Sequence, residues 1–408
     1  MERINQAGIG RSGSPVLWGK LFAALSLLAG IAATGFAQMS HEQLKAFGDT
    51  EPTSAHPRAA LIQDENGNLY GTTQLGGRAN VGTVFKLKTD GSGFTVLHSF
   101  ASNPDGNMPY GRLMLGENGV LCGTTVFGGS NGLGTIFTLK TNGSAHAVLH
   151  HFSTNVFDGQ HPRAALLKGS DGAVYGTTTE GGTNGVGTLF KLNLDGTGFT
   201  LLHNFTTNPV PPAPDLGRNP DELVQGLDGL LYGTTRAGGA SGAGTIFRIH
   251  TNGADAAVLL DLTAPAGDAR SHHAGLMQAN DGMLYGTFFN GNGHTNGSVF
   301  KVRTNGTDYA VLHSFTTNTF DGRNPDSRLI EGASGSLYGM TATGGASGQG
   351  TIFRINTNGT GFTISLRLSD LPVSARKETD GKFTHIVRSG IFSRSSTTEY
   401  TWEGKVSP

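Results

Sequence analysis

Six copies of one short phrase at nearly constant spacing set the strongest limit on how this chain folds. Leu69-Tyr70-Gly71-Thr72-Thr73 recurs as Leu121-Cys122-Gly123-Thr124-Thr125, Val174-Tyr175-Gly176-Thr177-Thr178, Leu231-Tyr232-Gly233-Thr234-Thr235, Leu284-Tyr285-Gly286-Thr287-Phe288 and Leu337-Tyr338-Gly339-Met340-Thr341. The second residues of successive copies stand 52, 53, 57, 53 and 53 positions apart. Fifteen positions after each comes a phenylalanine (Phe85, Phe137, Phe190, Phe247, Phe300, Phe353), and six after each of these a glycine (Gly91, Gly143, Gly196, Gly253, Gly306, Gly359). A period this regular means repeated supersecondary units that bury their apolar faces against one another.

Within a unit the apolar residues alternate with period two and turn dipeptides punctuate them, which predicts consecutive antiparallel strands. In the first copy Arg58 to Ile62 is strand a, Asn66-Gly67 a turn, Asn68 to Thr73 strand b, Gly82 to Lys86 strand c, Asp90-Gly91 a turn and Phe94 to Phe100 strand d. Four strands per repeat predict an all-β chain, a β-propeller of four-stranded blades, because a closed ring removes exposed strand edges. The repeats lie near 57–100, 109–152, 162–205, 219–262, 272–315 and 325–368, within a single domain over 38–408. A worn seventh copy over 371–408 lacks strand d, and residues 41–47 resemble a strand d without a, b or c. Seven blades, closed by that N-terminal strand, are therefore expected, with six blades as the alternative.

The first 37 residues read as an export signal. Arg3, Arg11 and Lys20 precede the apolar run Leu21 to Ala37, which ends in small residues suited to signal peptidase. The run falls short of the roughly 20 residues that span a bilayer. The mature chain is expected outside the cytoplasm, secreted, periplasmic or at the cell surface, without stable membrane insertion. Its 29 basic and 30 acidic side chains leave a net charge of -1, so no nucleic-acid partner is expected. The 23 phenylalanines argue for a packed core despite 64 glycines among 408 residues. The single cysteine, Cys122, excludes an internal disulfide and reads as a buried small hydrophobe. A monomer is expected.

The unit Leu-Tyr-Gly-Thr-Thr, Gly-Gly, Gly-Thr-Ile-Phe and Val-Leu-His-Ser-Phe resembles the GloVer tandem repeat of secreted "choice-of-anchor" bacterial proteins, over residues 57 to 368. The resemblance implies export and no established activity. The terminal Lys405-Val406-Ser407-Pro408 follows no hydrophobic anchor helix, a departure from the family's sorting segment.

Several recurring features have structural readings. The mid-strand glycines such as Gly71 are read as slots for a neighbouring blade's phenylalanine. Asp105-Gly106, Asp158-Gly159 and Asp321-Gly322 are read as turns rather than calcium loops. His98, His150, His203 and His313 become Leu260 and Leu366 in the other copies, which marks the position as packing.

Residues that break the repeat are the candidate site. His56, His161, His272 and His273 stand at starts of strand a, and the fifth copy replaces its Gly-Gly loop with a segment containing Phe289 and His294. Imidazoles gathered on the face of the d–a and b–c loops would bind a polar ligand, and His161, His272 and His294 would hold a transition metal. The expected function is a non-catalytic binding or structural propeller for an extracellular polysaccharide or exported protein. No cofactor follows from the residues. The alternative is a carbohydrate-active enzyme, a glycoside hydrolase or lyase, with carboxylates drawn from Glu180, Asp215 and Asp268.

Overall fold

The computed structural model describes residues 56–206, 214–262, 275–290, 296–318, 321–332, 334–345, 348 and 350–367. They form six blades, each an antiparallel sheet in the order a-b-c-d. Blade 1 comprises Ile62–Gln63, Asn68–Thr73, Thr83–Lys88 and Thr95–Ser99. Blade 2 comprises Met114–Leu115, Val120–Phe127, Thr135–Lys140 and Ala147–His151, and blade 3 Leu167–Lys168, Val174–Thr178, Thr188–Leu192 and Thr200–Asn204. Blade 4 has the longest strand a, Arg218–Gln225, followed by Leu231–Ala237, Thr245–Ile249 and Ala257–Asp261. Blade 5 is Met277–Gln278, Leu284–Phe288, Ser298–Val302 and Ala310–Ser314. Blade 6 is Ile330–Glu331, Ser336–Gly344, Thr351–Asn356 and Thr363–Arg367.

Six is the count of the alternative reading, not of the seven-blade expectation. Residues 41–47 and 371–408, from which the seventh blade is predicted, lie outside the described residues, as does the leader.

Period-two alternation places one set of apolar side chains on each face of a blade. Ile62, Tyr70, Val84 and Phe100 of blade 1 pack against Leu113, Leu121, Phe137 and Leu139 of blade 2. The same arrangement joins blades 2 and 3, 3 and 4, 4 and 5, and 5 and 6. Every c–d pairing carries a register shift just before the recurrent phenylalanine, at Val84/Phe85 in blade 1 and Ile352/Phe353 in blade 6. Such bulges increase the local twist of the outer strands.

The glycine slot belongs to the same blade, which corrects the expectation of a neighbouring one. Gly71 is paired directly with Phe85 on strand c. A Cβ on Gly71 would stand 2.6 Å from Phe85 Cζ and 2.6 Å from Leu61 Cδ2, so the ring lies across the bare backbone of its own sheet.

The second threonine of the phrase ties strand b to strand c. Thr73 and Thr83 Oγ1 are 2.7 Å apart, and the pairs Thr125–Thr135, Thr178–Thr188, Thr235–Thr245 and Thr341–Thr351 repeat the contact. In blade 5 Phe288 takes this place and stacks on Phe300 with centroids 4.3 Å apart.

The phrase tyrosine does more than fill volume. Tyr70, Tyr175, Tyr232 and Tyr285 donate to Asp64, Asp171, Asp228 and Asp281 of the a–b turns at 2.9, 2.7, 2.5 and 2.6 Å. A buried hydroxyl without such a partner would carry a desolvation cost, so the turn aspartate and the tyrosine act together. Cys122 occupies the position in blade 2, fully buried, and burial pushes its thiol pKa up to about 12. It is an inert packing residue at neutral pH.

Candidate functional site: the central channel

The strand-a leucines Leu61, Leu113, Leu166, Leu223, Leu276 and Leu329 give a common register for the residues that precede them. The position just before the leucine holds Arg112, Glu222 and Arg328 in blades 2, 4 and 6, and Ala60, Ala165 and Gly275 in blades 1, 3 and 5. Long and small side chains thus alternate around the axis, which lets three large groups share a narrow centre. Arg112 Nη2 donates to Glu222 Oε1 at 3.0 Å, and Arg328 Nη1 reaches the same oxygen at 3.5 Å. A Cβ on Gly275 would fall 2.6 Å from Glu222 Oε2, so only glycine leaves the carboxylate its space.

Burial pushes the Glu222 pKa up, but Arg112 and then Arg328 more than offset it and hold the carboxyl below its usual range. The same burial pulls Arg328 below the ordinary guanidinium value. This charged layer crosses three blades separated by more than 100 positions in sequence.

Two and three positions before the leucine the lining becomes a second polar layer. Asp221 accepts from Arg236 Nε, at 2.9 Å to each carboxylate oxygen. The Asp221 backbone carbonyl also accepts from Thr177 Oγ1 of blade 3 at 2.8 Å, a use of the first threonine of the phrase that links adjacent blades. Asp326 of blade 6 stands near this pair. Loss of solvent, with Arg236 lowering it, Asp221 adding to it and Arg58 lowering it, leaves its carboxyl pKa at about 7. Arg58 donates from Nε to Gln74 at 2.8 Å and lies 5.8 Å over the Tyr110 ring. Arg163 Nε is buried without a hydrogen-bond partner.

These residues enclose a cavity of about 470 Å³ to which all six blades contribute. Its lining carries the guanidinium groups of Arg58, Arg112, Arg163, Arg236 and Arg328 against the carboxyl groups of Asp221, Glu222, Asp326 and Glu331. Chemically it is a polar, cation-rich recess with one acid, Asp326, whose pKa burial raises to about 7.

Of the sequence-predicted histidines, the two described, His56 and His161, do not line this cavity. His56 and His161 both adopt positive φ, at 57°, where the chain enters strand a. His161 Nδ1 lies 3.0 Å from Glu180 Oε2, and its ring meets Phe127 edge-on with centroids 5.0 Å apart. Phe289 is half-buried and its carbonyl accepts from Asn324 Nδ2. His272, His273 and His294 lie outside the described residues, so of the expected metal set only His161 is described. Of the carboxylates considered for catalysis, Glu180 faces His161, and Asp215 accepts from Gly217 N and Gly239 N. Asp268 lies outside the described residues.

The channel charges were legible as breaks in the repeat, by the same rule that singled out the histidines. Arg58 and Arg163 follow Pro57 and Pro162, beside two of those histidines. Their signal is that a position holding Arg in two copies holds Asp326 in another, which packing alone does not require.

Among the described residues no helix is long and apolar enough to cross a membrane. In solved structures the fold is similar to streptogramin B lyase, at 18% identity and a TM-score of 0.51, over 79% of this chain and 87% of that one. It is also similar to the extracellular domain of BT4673 from B. thetaiotaomicron, at 11% identity and a TM-score of 0.53, over 92% of this chain and 40% of that one. At these identities the likeness establishes the propeller architecture alone. No curated protein matches the chain. The Gloeobacter/Verrucomicrobia repeat model matches twice, at residues 34–218 and 219–385. Together the matches take in the six blades and both their flanks, and the chain belongs to the Gloeobacter/Verrucomicrobia repeat family.

Proposed function

We propose that the chain is an exported, non-catalytic binding propeller whose central cavity takes a polar ligand bearing negative charge, such as an acidic stretch of extracellular polysaccharide. The observation that carries this reading is the cavity lining. Five guanidinium groups face four carboxyl groups, one of which, Asp326, loses its charge near neutral pH. Arg112 and Arg236 are engaged by Glu222 and Asp221, while Arg163 keeps a buried Nε–H to offer. A planar guanidinium matches a carboxylate in two parallel hydrogen bonds, and a recess with low-dielectric walls concentrates its field. The leader-like residues 1–37 support export, and an extracellular domain of similar fold accords with it.

The test is calorimetric titration of residues 38–408 with an oligouronate and with a neutral oligosaccharide of equal length. Binding of the acidic ligand should weaken with salt and fall at least tenfold in R58A and R163A. Equal affinity for the neutral ligand, or no loss in those variants, overturns the reading.

A second reading is favoured by one observation. Asp326, whose carboxyl pKa is raised to about 7, and Asp221, which accepts from Arg236, face the same cavity, and a carboxyl raised toward neutrality can serve as a general acid. It predicts release of reducing ends or unsaturated sugars from an acidic polysaccharide, abolished in D326N.

The seventh blade is likewise proposed. Core clusters join each described blade to the next, whereas Leu61, Leu69, Phe85 and Leu87, with Phe94, form a cluster of blade 1 alone. That face is the one a blade preceding the first would cover.

A further inference from the structure

In blades 2 and 5 strand d presents its histidine to an aromatic ring of the following blade. His150 stacks on Phe199 with centroids 3.9 Å apart and His313 on Phe362 at 3.5 Å, both nearly parallel. Each histidine also faces an aspartate of its own d–a loop: His150 Nε2 is 3.0 Å from Asp158 Oδ1, and His313 Nε2 is 3.7 Å from Asp321 Oδ1. The pattern is a histidine held between a carboxylate and an aromatic ring.

At the seam of blades 1 and 2 the aromatic ring is itself a histidine. His146 stands in register with Phe94, Phe199, Tyr309 and Phe362. It stacks on His98 with centroids 3.8 Å apart and planes 8° from parallel. His98 Nε2 lies 2.9 Å from Asp105 Oδ2, and His146 Nε2 lies 3.2 Å from Asp105 Oδ1. The second approach lacks hydrogen-bond alignment, so His146 Nε2 and Asp105 Oδ1 are buried atoms facing each other without a bond. One ligand atom from each residue falls within 4.8 Å of the other two.

We propose that His98, Asp105 and His146 bind a divalent transition-metal ion, Zn²⁺ or a neighbour of similar preference, between blades 1 and 2. With metal–ligand bonds of about 2.1 Å, the edges of a tetrahedral or octahedral shell run from about 2.9 to 3.4 Å, the range of the two observed nitrogen–oxygen separations. Two imidazoles and one carboxylate suit such ions, whereas calcium and magnesium call for more oxygen donors. Side chains one-seventh to one-fifth exposed leave room for a water to complete the shell. Burial, then the neighbouring His98, keeps His146 below the usual imidazole pKa, which favours the neutral ring a metal requires. Ion binding needs the His146 ring to tilt out of the stack so that its lone pair converges with that of His98. This site is separate from the central cavity and from the His161 set.

The test uses residues 38–408 freed of any affinity tag and treated with chelator, titrated with Zn²⁺ against a chromophoric competitor, and with Co²⁺ read by its visible absorption. One ion per chain is expected, with micromolar or tighter affinity, weakened at least 100-fold in H146F and D105N. H146F places there the ring that blades 1, 3 and 6 hold as Phe94, Phe199 and Phe362 and should keep the thermal midpoint, so loss of metal would not reflect unfolding. F199H should add a second ion through His150 and Asp158. Absence of binding tighter than millimolar, binding that survives H146F and D105N, or binding lost in H161A but kept in H146F would each overturn the proposal.

Discussion

The ring of Phe247 ends where a side chain on Gly233 would begin, for a Cβ there would stand 2.6 Å from Phe247 Cζ and 2.9 Å from Leu223 Cδ2. Both neighbours are buried within the blade and cannot move outward. Gly233→Ala is therefore expected to cost about 1 to 3 kcal/mol by overpacking, and Gly233→Val more. Chemical denaturation measures this, and F247L should recover part of the loss in G233A, because it removes the atoms in the way.

Asp326 makes stability depend on pH in the direction opposite to an ordinary surface aspartate. Its folded pKa of about 7 lies above the ordinary aspartate value of about 3.9, so between these values the folded state holds a proton that the unfolded state releases. Its contribution is fully present below about pH 4 and is lost as pH rises through 7. Asp326→Asn should raise the thermal midpoint at pH 8 and leave it nearly unchanged at pH 4. An equal effect at both values would show that this carboxyl does not titrate in that window.

His203 acts at the acid end. Burial lowers its pKa to about 4, and among the described residues no carboxylate is paired with it. The folded state therefore resists protonation that the unfolded state accepts near 6.5, so stability is complete above 6.5 and is lost as pH falls toward 4. His203→Leu places there the residue that blade 4 has at Leu260. Melting curves from pH 7 to 4 should fall less steeply for this variant than for the parent.

Removal of residues 41–47 tests ring closure. If they complete a last blade with residues 382–402, deletion leaves an unpaired edge, and the thermal midpoint should drop by several degrees. An unchanged midpoint would establish six blades as the full ring.

What the sequence determined by itself is what depends on near neighbours. Alternation along Asn68–Thr73 and Thr83–Lys88, the turn at Asp90-Gly91 and the constant step between copies specify strands, their antiparallel order and their repetition, because each is a property of a few consecutive residues. Only the tertiary structure decided which ring fills the Gly71 slot, since cross-strand register with Phe85 cannot be told from spacing alone. It alone brought Arg112, Glu222 and Arg328 onto one axis: each is a single substitution in its own copy, and their meeting follows from the arrangement of the blades about a common centre. His146 reads in sequence as an exchanged aromatic residue; its contact with His98 and Asp105 exists because blade 2 packs its c–d turn against the outer strand of blade 1. Local chemistry writes the blade, and the packing of one blade on the next creates the sites.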